Sequence, residues 1–243
     1  MVTENNLFSA KDMYAVEHTS TGRAYELIAK SCKERYRKIH ENMHLMGDMA
    51  FTPHLQYPMM KPYNGSTDFV GVSYKERNKH NGNGEALHFF LDDYAFRDAV
   101  WFNLERTTNS IYKYDYVFTP DLSLWKDLPT DFYNRENVFR TRFVGAYWQK
   151  CGYNVIPTAS WGDLSSFEYC FEGLPVHSVI AVSGMGNRKC NDAFDRWCYG
   201  LRRLEEAKAP TLIIVYGEDV AVPGLHAPLK FIPCFIQKRF RKQ

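Results

Sequence analysis

The sequence predicts an α/β fold, a mostly parallel sheet of five or six strands with flanking helices. Short apolar runs recur from residue 87 onward, and amphipathic segments of helical length separate them. The runs are apolar on both faces, as expected for parallel strands that helices cover on both sides. Five or six strands are fewer than the eight of a closed barrel, so a Rossmann-like sheet or a partial barrel is expected.

An N-terminal helical extension is predicted for residues 1–50. Residues 1–22 are polar, and apolar residues then recur at helical spacing from Arg23 to about Met46, where Gly47 provides a C-terminal stop. Residues 51–86 are expected to form an irregular connecting segment. Three prolines interrupt any helix there, and the NGNG stretch at 81–84 is typical of a loop.

Residues 87–236 are predicted to form the α/β core domain, followed by a basic tail at 237–243. Pro157 lies inside one strand candidate and indicates an edge, bulge or bend, because proline cannot donate a ladder hydrogen bond. Strands are predicted at 87–91, 116–119, 154–159, 178–182, 211–215 and 230–236, and helices at 96–104, 136–151 and 192–208, with a short helix capped by Ser165 or Ser166.

The composition indicates a globular cytoplasmic protein without a membrane partner. The charged fraction of 24% is ordinary, whereas the aromatic fraction of 16% is high. The six cysteines form no C-x-x-C pair, so they are predicted to be reduced thiols. The N-terminus has no apolar signal core, and no window approaches eighteen uncharged apolar residues.

Two basic segments flank an acidic body and predict contact with the phosphates of a nucleic acid. The alternative is a solvated helix face at residues 30–38 and a solubilising tail. The predicted contact residues are Lys33, Arg35, Arg37, Lys38, Lys238, Arg239, Arg241 and Lys242.

Carboxylates follow several predicted strands and define a candidate catalytic site. In parallel α/β sheets, ligands bind beyond the carboxyl ends of the strands. Asp93 and Asp121 each follow a strand, and Tyr216 and Glu218 lie at the end of the fifth. Such carboxylates could bind Mg²⁺ or share general acid and base roles. The alternative is that such residues cap helices, as Asp163 before Ser165 would.

A glycine-containing turn after the fourth strand predicts an anion site. Glycines let backbone N–H groups approach a phosphate at a helix N-terminus, although the spacing is neither a Walker loop nor a complete G-x-G-x-x-G. Tight-turn chemistry alone is the alternative. Arg140 and Arg142 lie on the preceding long helix, where a surface or ion-pair role is expected. The predicted ligand-binding residues are Ser183, Gly184, Gly186, Asn187, Arg188 and Trp161.

Residues 40–44 read His-Glu-Asn-Met-His and match a zinc-binding pattern. On an α-helix, His40 and His44 would lie one turn apart and could share Zn²⁺, with Glu41 polarising a water. Ala50 stands where an extended motif requires a third histidine. The alternative is an amphipathic helix with two ordinary histidines. The sequence contains no G-x-S-x-G elbow and no cysteine–histidine pair with supporting context. Nucleophilic hydrolysis is therefore not indicated.

Several blocks resemble an uncharacterised family, domain of unknown function 4417, over about residues 54–220. The family recurs in bacteria, phages, prophages and related mobile elements. The resemblance implies a mobile-element setting and nucleic-acid or host-conflict biology, and it carries no catalytic residues. Ala95 departs from the basic residue expected after Asp-Asp-Tyr. The blocks are HFFLDDY, YDYVFTPDLSLWKDLP, FRTRFVGAYWQKCGYNVIPTASWGDLSSFEYCFEGLP, HSVIAVSGMG and IIVYGE.

Three functions remain open from the sequence. The first is a mobile-element enzyme directed at nucleotides or nucleic acids, with a carboxylate-rich site at the strand ends and Mg²⁺ as its expected cofactor. The second is a non-enzymatic module that binds nucleic acid or a host protein through the basic helix and tail. The third is a zinc-dependent hydrolase that uses His40 and His44.

Overall fold

The computed structural model describes residues 41–128, 130–186 and 190–234. The chain divides into two compact units, Met1–Asp48 and Met49–Gln243. In the described part of the first unit, Asn42 adopts a left-handed conformation (φ 60°) and precedes a short 3₁₀ helix, Met43–Leu45. Most of the helical segment predicted between Arg23 and Met46 lies outside the described residues.

The second unit alternates strands and helices along the chain. A 3₁₀ helix, Tyr74–Lys79, follows the first strand, and two others occupy Asp93–Ala95 and Leu164–Glu168. Within the described ranges the remaining elements are β1 (Val70–Ser73), β2 (Glu85–His88), α1 (Arg97–Trp101), α2 (Leu104–Ile111), β3 (Tyr116–Phe118), α3 (Phe132–Lys150), β4 (Val155–Ile156), β5 (Thr158–Ala159), β6 (Val179–Ser183), α4 (Asn191–Lys208), β7 (Leu212–Tyr216) and β8 (Leu229–Ile232).

The strands form two parallel four-stranded sheets, β1-β2-β3-β4 and β5-β6-β7-β8, in which spatial order follows chain order. The predicted α/β class and parallel pairing are confirmed, with four strands in each sheet rather than five or six in one. The predicted strand 154–159 is interrupted at Pro157, the single residue between β4 and β5. Pro157 has no N–H to donate, but its carbonyl accepts a 2.8 Å hydrogen bond from the backbone of Ala181.

The two sheets curve around a shared interior. The rings of His88 at the end of β2 and Tyr216 at the end of β7 have centroids 4.5 Å apart. In a flat sheet these strands would be roughly 19 Å apart, at ~4.8 Å per neighbour and counting β4 and β5 as one position. A Cβ built on Gly71 in β1 would lie 2.9 Å from Ile232 in β8, so the first and last strands also meet. Of the two predicted architectures, this geometry favours the partial barrel.

Alternate strand residues fill the two sides of the sheets. Ala181 and Ile214 belong to an inner cluster, whereas Ile180 and Ile213 pack outward against α4. The inner cluster consists of Tyr63, Ala86, Phe90, Phe118, Ile156, Val179, Ala181, Ile214, Tyr216, Ile232 and Cys234. The outer cluster includes the buried stripe of α4, namely Trp197, Cys198, Leu201 and Leu204.

The segment 51–86, expected to be irregular, contributes β1 and the start of β2. Its strand was missed because Val70–Ser73 is only four residues long and contains a glycine, a poor strand former. Gly71 is nevertheless required, since a side chain there would collide with Ile232. The helix predicted at 96–104 is shorter, Arg97–Trp101, and a second helix that was not predicted, Leu104–Ile111, follows it.

No helix in the described part of the chain is both long and apolar enough to cross a membrane. The cysteines that the structure describes are free thiols, some buried and some exposed. They are Cys151, Cys170, Cys190, Cys198 and Cys234.

Candidate functional site

The residues that follow β2 and β3 bring two predicted catalytic carboxylates together. Asp93 lies in the 3₁₀ helix after β2, and its carboxylate accepts hydrogen bonds from the hydroxyl (2.9 Å) and backbone N–H (3.2 Å) of Ser123. Asp121 lies two residues before Ser123, and the charge of Asp93 acts directly on it. Because β2 and β3 are parallel neighbours, both carboxyl groups lie at the same end of the sheet.

The two carboxyl groups have unequal environments. Burial, with the nearby charge of Asp93, raises the pKa of Asp121 to about 7. Its Oδ1 atom is buried and has no hydrogen-bond partner within the described ranges. Burial also raises the pKa of Asp93, but hydrogen bonds from Ser123 and the charge of Arg97 oppose that rise. Asp121 therefore titrates near neutral pH, as a general acid or base requires.

The loop that carries Asp121 is fixed by three polar residues of α3. Thr141 Oγ1 donates to the carbonyl of Pro120 (3.1 Å), and Asn137 Nδ2 donates to the carbonyl of Ser123 (2.8 Å). Asn134 bonds both the N–H (2.9 Å) and the carbonyl (2.7 Å) of Trp125. The three residues share one helix face at i, i+3 and i+7. Sequence reasoning missed them, although polar residues at helical spacing among apolar ones were the available signal.

Arg142 lies on the same helix, and the surface or ion-pair role expected for it is wrong. Its side chain is 2% exposed and donates to the carbonyls of Thr158 (3.1 Å), Cys170 (2.6 Å) and Glu172 (2.8 Å). Burial lowers the pKa of Arg142 to about 10. Arg142 therefore joins α3 to β5 and to the following loop, whereas Arg140 does form an ion pair, with Glu136 (2.8 Å).

A cavity of about 180 Å³ adjoins the end of this loop. Its lining combines two tryptophans with two cationic side chains. Trp161 packs closely on Gly200 of α4, and Trp197 Nε1 donates to the Ser183 carbonyl (2.9 Å). The sequence pointed to Trp161 alone, because the other residues come from distant segments. The lining residues are Leu124, Lys126, Trp161, Gly162, Ala193, Arg196 and Trp197.

The turn after β6 does not present all the backbone donors expected of an anion site. The Gly184 N–H continues the ladder to the carbonyl of Tyr216 (2.8 Å), and the Met185 N–H donates to Ser183 Oγ (3.3 Å). Gly186 adopts a left-handed conformation (φ 78°) that suits a turn. Asn187 and Arg188 lie outside the described residues. The Gly184 amide is therefore not available to a bound anion.

Glu218 is exposed after β7, and it is not among the charges that act on the aspartate pair. The charges that shift the pKa of Asp93 are those of Arg97 and Asp92, and the charge that shifts the pKa of Asp121 is that of Asp93. The pair is therefore formed without this third predicted carboxylate.

The zinc motif is only partly covered. His40 lies outside the described residues, while His44 lies in a 3₁₀ helix after left-handed Asn42, so residues 41–45 do not form the α-helix that the motif requires. Over the described ranges, no group of three or more histidine, cysteine or acidic residues is arranged to hold a metal. Also outside the described residues are the predicted nucleic-acid contacts Lys33, Arg35, Arg37, Lys38, Lys238, Arg239, Arg241 and Lys242.

Four polar residues at the strand ends, two of them missed by sequence reasoning, line the inner side of the sheets. Ser73 and His88 are ladder partners at the ends of β1 and β2, and Ser183 and Tyr216 are partners at the ends of β6 and β7. Ser73 is buried, and its Oγ has no hydrogen-bond partner in the portion described. Ser183 and Tyr216 were predicted at the strand ends, whereas Ser73 and His88 were missed because they sit in or beside apolar runs.

Comparison with known proteins identifies relatives from bacteriophages. The Gene 1 protein of Mycobacterium phage L5 is 43% identical over 136 residues, covering 56% of this chain and 58% of the relative. The Gene 1 protein of Mycobacterium phage D29 is 40% identical over 163 residues, covering 66% of this chain and 58% of the relative. The chain thus spans less than two thirds of the length of either relative. No solved structure matches.

Neither the names of these relatives nor the family description states an activity. The family match covers residues 50–225, which contain Asp93, Asp121, the cavity residues and all strands except β8. Over that range, the chain belongs to the family described as Domain of unknown function (DUF4417).

Proposed function

We propose that the protein is a cytoplasmic enzyme that acts on nucleotides or nucleic acids by acid–base chemistry at Asp93 and Asp121. The observation that carries this proposal is the aspartate pair at the ends of β2 and β3, in which Asp121 has a pKa of about 7 and an unpartnered, buried Oδ1 within the described ranges. A group that titrates near the working pH can both accept and donate a proton.

The two aspartates would divide the work. Ser123 holds Asp93 through two of its hydrogen-bond donors, so Asp93 suits the role of a fixed anion that orients the substrate or a Mg²⁺ ion. The Oδ1 atom of Asp121 has no hydrogen-bond donor in the described ranges, and with a pKa of about 7 the group exists as a mixture of neutral and charged forms near pH 7. It would transfer the proton. This division follows the general pattern in which paired carboxyl groups take different roles because their environments differ.

The substrate class is supported by the setting and by the surroundings of the pair. The relatives are phage proteins, and the cavity at the end of the same loop carries Lys126 and Arg196 beside two tryptophans. Cationic and aromatic side chains together suit the phosphates and the bases of nucleotides. The predicted basic segments at 33–38 and 238–242 would add further contacts with phosphates.

A turnover assay tests the proposal. The full chain would be incubated with Mg²⁺ and a panel of nucleoside phosphates, DNA and RNA, and products would be separated by chromatography. We expect Asp121→Asn and Asp93→Asn to lower turnover by at least about a hundredfold, the usual contribution of a general acid or base. Asp68→Asn, which changes an exposed aspartate elsewhere, is the matched control and should leave turnover unchanged.

The same assay separates this proposal from the alternative of a non-enzymatic module that binds nucleic acid or a host protein. Turnover that survives both substitutions would remove the pair from the mechanism. Binding of nucleic acid without any turnover by the wild-type chain would favour the module.

A further inference from the structure

We infer that the cavity lined by Trp161 and Trp197 receives a single base of a nucleotide or a single-stranded nucleic acid, with the attached phosphate on Lys126 and Arg196. The inference rests on the proposed function for its substrate class. The site is carried by different residues from those that perform the chemistry.

The size of the cavity limits what it can hold. Sites for whole drug-sized ligands measure roughly 300–1,000 Å³. A cavity of about 180 Å³ is smaller and fits one planar ring rather than a complete nucleotide. The sugar and phosphate of such a ligand would have to remain at the mouth, where the chain of a nucleic acid could continue into solvent.

The walls provide flat surface that is built into the fold. Trp161 packs so closely on α4 that a Cβ on Gly200 would lie 2.1 Å from its ring, so only glycine permits this position. The ring centroids of Phe167 and Phe171 lie 6.4 and 6.1 Å from the ring centroid of Trp161, and these contacts restrain Trp161 further. Trp197 is 4% exposed and is held by its hydrogen bond to the Ser183 carbonyl, so Trp161 is the ring on which a base would stack. Rigid indole rings are the side chains on which bases of any sequence stack.

The charges at the mouth match a phosphate. Lys126 and Arg196 are both exposed, and neither forms an ion pair or hydrogen bond with any residue in the described ranges. They approach from different segments, the loop after β3 and the second turn of α4. The loop itself is anchored by Asn134 and Asn137, so the position of Lys126 relative to the cavity is constrained. Two unpaired cations beside an aromatic cavity suit an anion attached to a ring.

Fluorescence anisotropy with two labelled single strands of about ten nucleotides tests this inference. One strand is oligothymidylate, and the other is an abasic strand of equal length and charge. We expect the full-length protein to bind the base-bearing strand about tenfold more tightly, because stacking adds to the phosphate contacts. Ala193→Leu, which fills the cavity from a half-buried position in the first turn of α4, should abolish that difference, as should Trp161→Leu.

The charges are tested separately. The double variant K126A/R196A should weaken binding of both strands and reduce the slope of log K against log salt by about two, one for each lost phosphate contact. The variant K75A/R106A removes the same charge at exposed positions away from the cavity and should not change the slope as much. Competition by thymidine monophosphate would identify a mononucleotide as sufficient.

Several outcomes would overturn the inference. They are equal binding of the two strands by the wild-type chain, no binding at low salt, or an unchanged preference in a folded Ala193→Leu variant. If that preference is lost as expected but Asp121→Asn leaves turnover intact, the acid–base proposal fails while the base site stands. If Asp121→Asn abolishes turnover and Ala193→Leu keeps the preference, the base site alone fails.

Discussion

Asp93 and Asp121 lie side by side after neighbouring strands, yet Ser123 donates hydrogen bonds only to Asp93. The charge of Asp93 is, after burial, the second cause that raises the pKa of Asp121 to about 7. Replacing Asp93 by asparagine should therefore lower the pKa of Asp121, while burial still holds it above the ordinary value of about 3.9.

Carboxyl ¹³C NMR titration measures this change. Asp68→Asn is the control, since it removes an exposed carboxylate elsewhere and should leave the pKa of Asp121 where it is. An unchanged Asp121 titration in Asp93→Asn would show that the two carboxyl groups are not coupled.

Asp121 should also make stability depend on pH. Because its pKa is higher in the folded than in the unfolded chain, the folded state binds more protons between about pH 4 and pH 7. The contribution of Asp121 to the free energy of unfolding is therefore fully present at low pH and is lost as the pH rises through about 7. We expect Asp121→Asn to raise the free energy of unfolding by about 2 kcal/mol at about pH 8.5, since it removes a buried charge.

At about pH 4, Asp121 is neutral in the folded chain and half neutral in the unfolded chain, and the same substitution should change stability by less than about 1 kcal/mol. Urea unfolding of both proteins at the two pH values gives the comparison, provided that the denaturant slope is the same. Destabilisation at high pH would mean that charged Asp121 has a favourable partner.

Arg142 should tolerate no conservative replacement. Its guanidinium donates to three backbone carbonyls at once, which an ammonium group cannot reproduce. We expect Arg142→Lys to lower the free energy of unfolding by about 3 kcal/mol, because buried carbonyls lose their donors. Arg140→Lys on the same helix alters an ion pair with Glu136 and should cost less than about 1 kcal/mol. Equal losses in chemical denaturation would contradict the difference.

Gly200→Ala separates helix propensity from packing. Propensity alone predicts a stabilisation of about 1 kcal/mol in the interior of α4. A Cβ at this position would instead lie 2.1 Å from the Trp161 ring, and overpacking of this kind costs about 1–3 kcal/mol. We expect net destabilisation in thermal unfolding and altered tryptophan fluorescence. Asp195→Ala at an exposed position of α4 serves as the control, and stabilisation by Gly200→Ala would show that Trp161 moves freely.

The carboxylate pair could be predicted because Asp93 and Asp121 follow apolar runs, and the ends of parallel strands meet. The bend at Pro157 was likewise visible, since proline has no backbone donor. The cavity was not visible beyond Trp161. Lys126 and Arg196 sit among ordinary polar residues, and only the fold brings the β3 loop to α4.

The curvature of the sheets could not be predicted either. Local patterns indicate which residues form strands, but they do not state how strongly successive strands twist and coil. The proximity of His88 to Tyr216 follows from the sum of all the strand-to-strand rotations. Similarly, the local sequence around Val70–Ser73 does not predict a strand. This strand is stabilised by residues distant in sequence, namely its partner strand Glu85–His88 and the opposing Ile232.

The approach of Gly71 to Ile232 has a consequence for how the chain folds. The interior is enclosed only after β1 has packed against β8. The strand β8 lies close to the end of the described chain, beyond residue 225, where the family match stops. Contacts so distant in sequence slow folding, because a long loop must be ordered before they form. A nascent chain would therefore keep its apolar interior open until β8 arrives, and shortening the protein to its matched region would leave that interior exposed to aggregation.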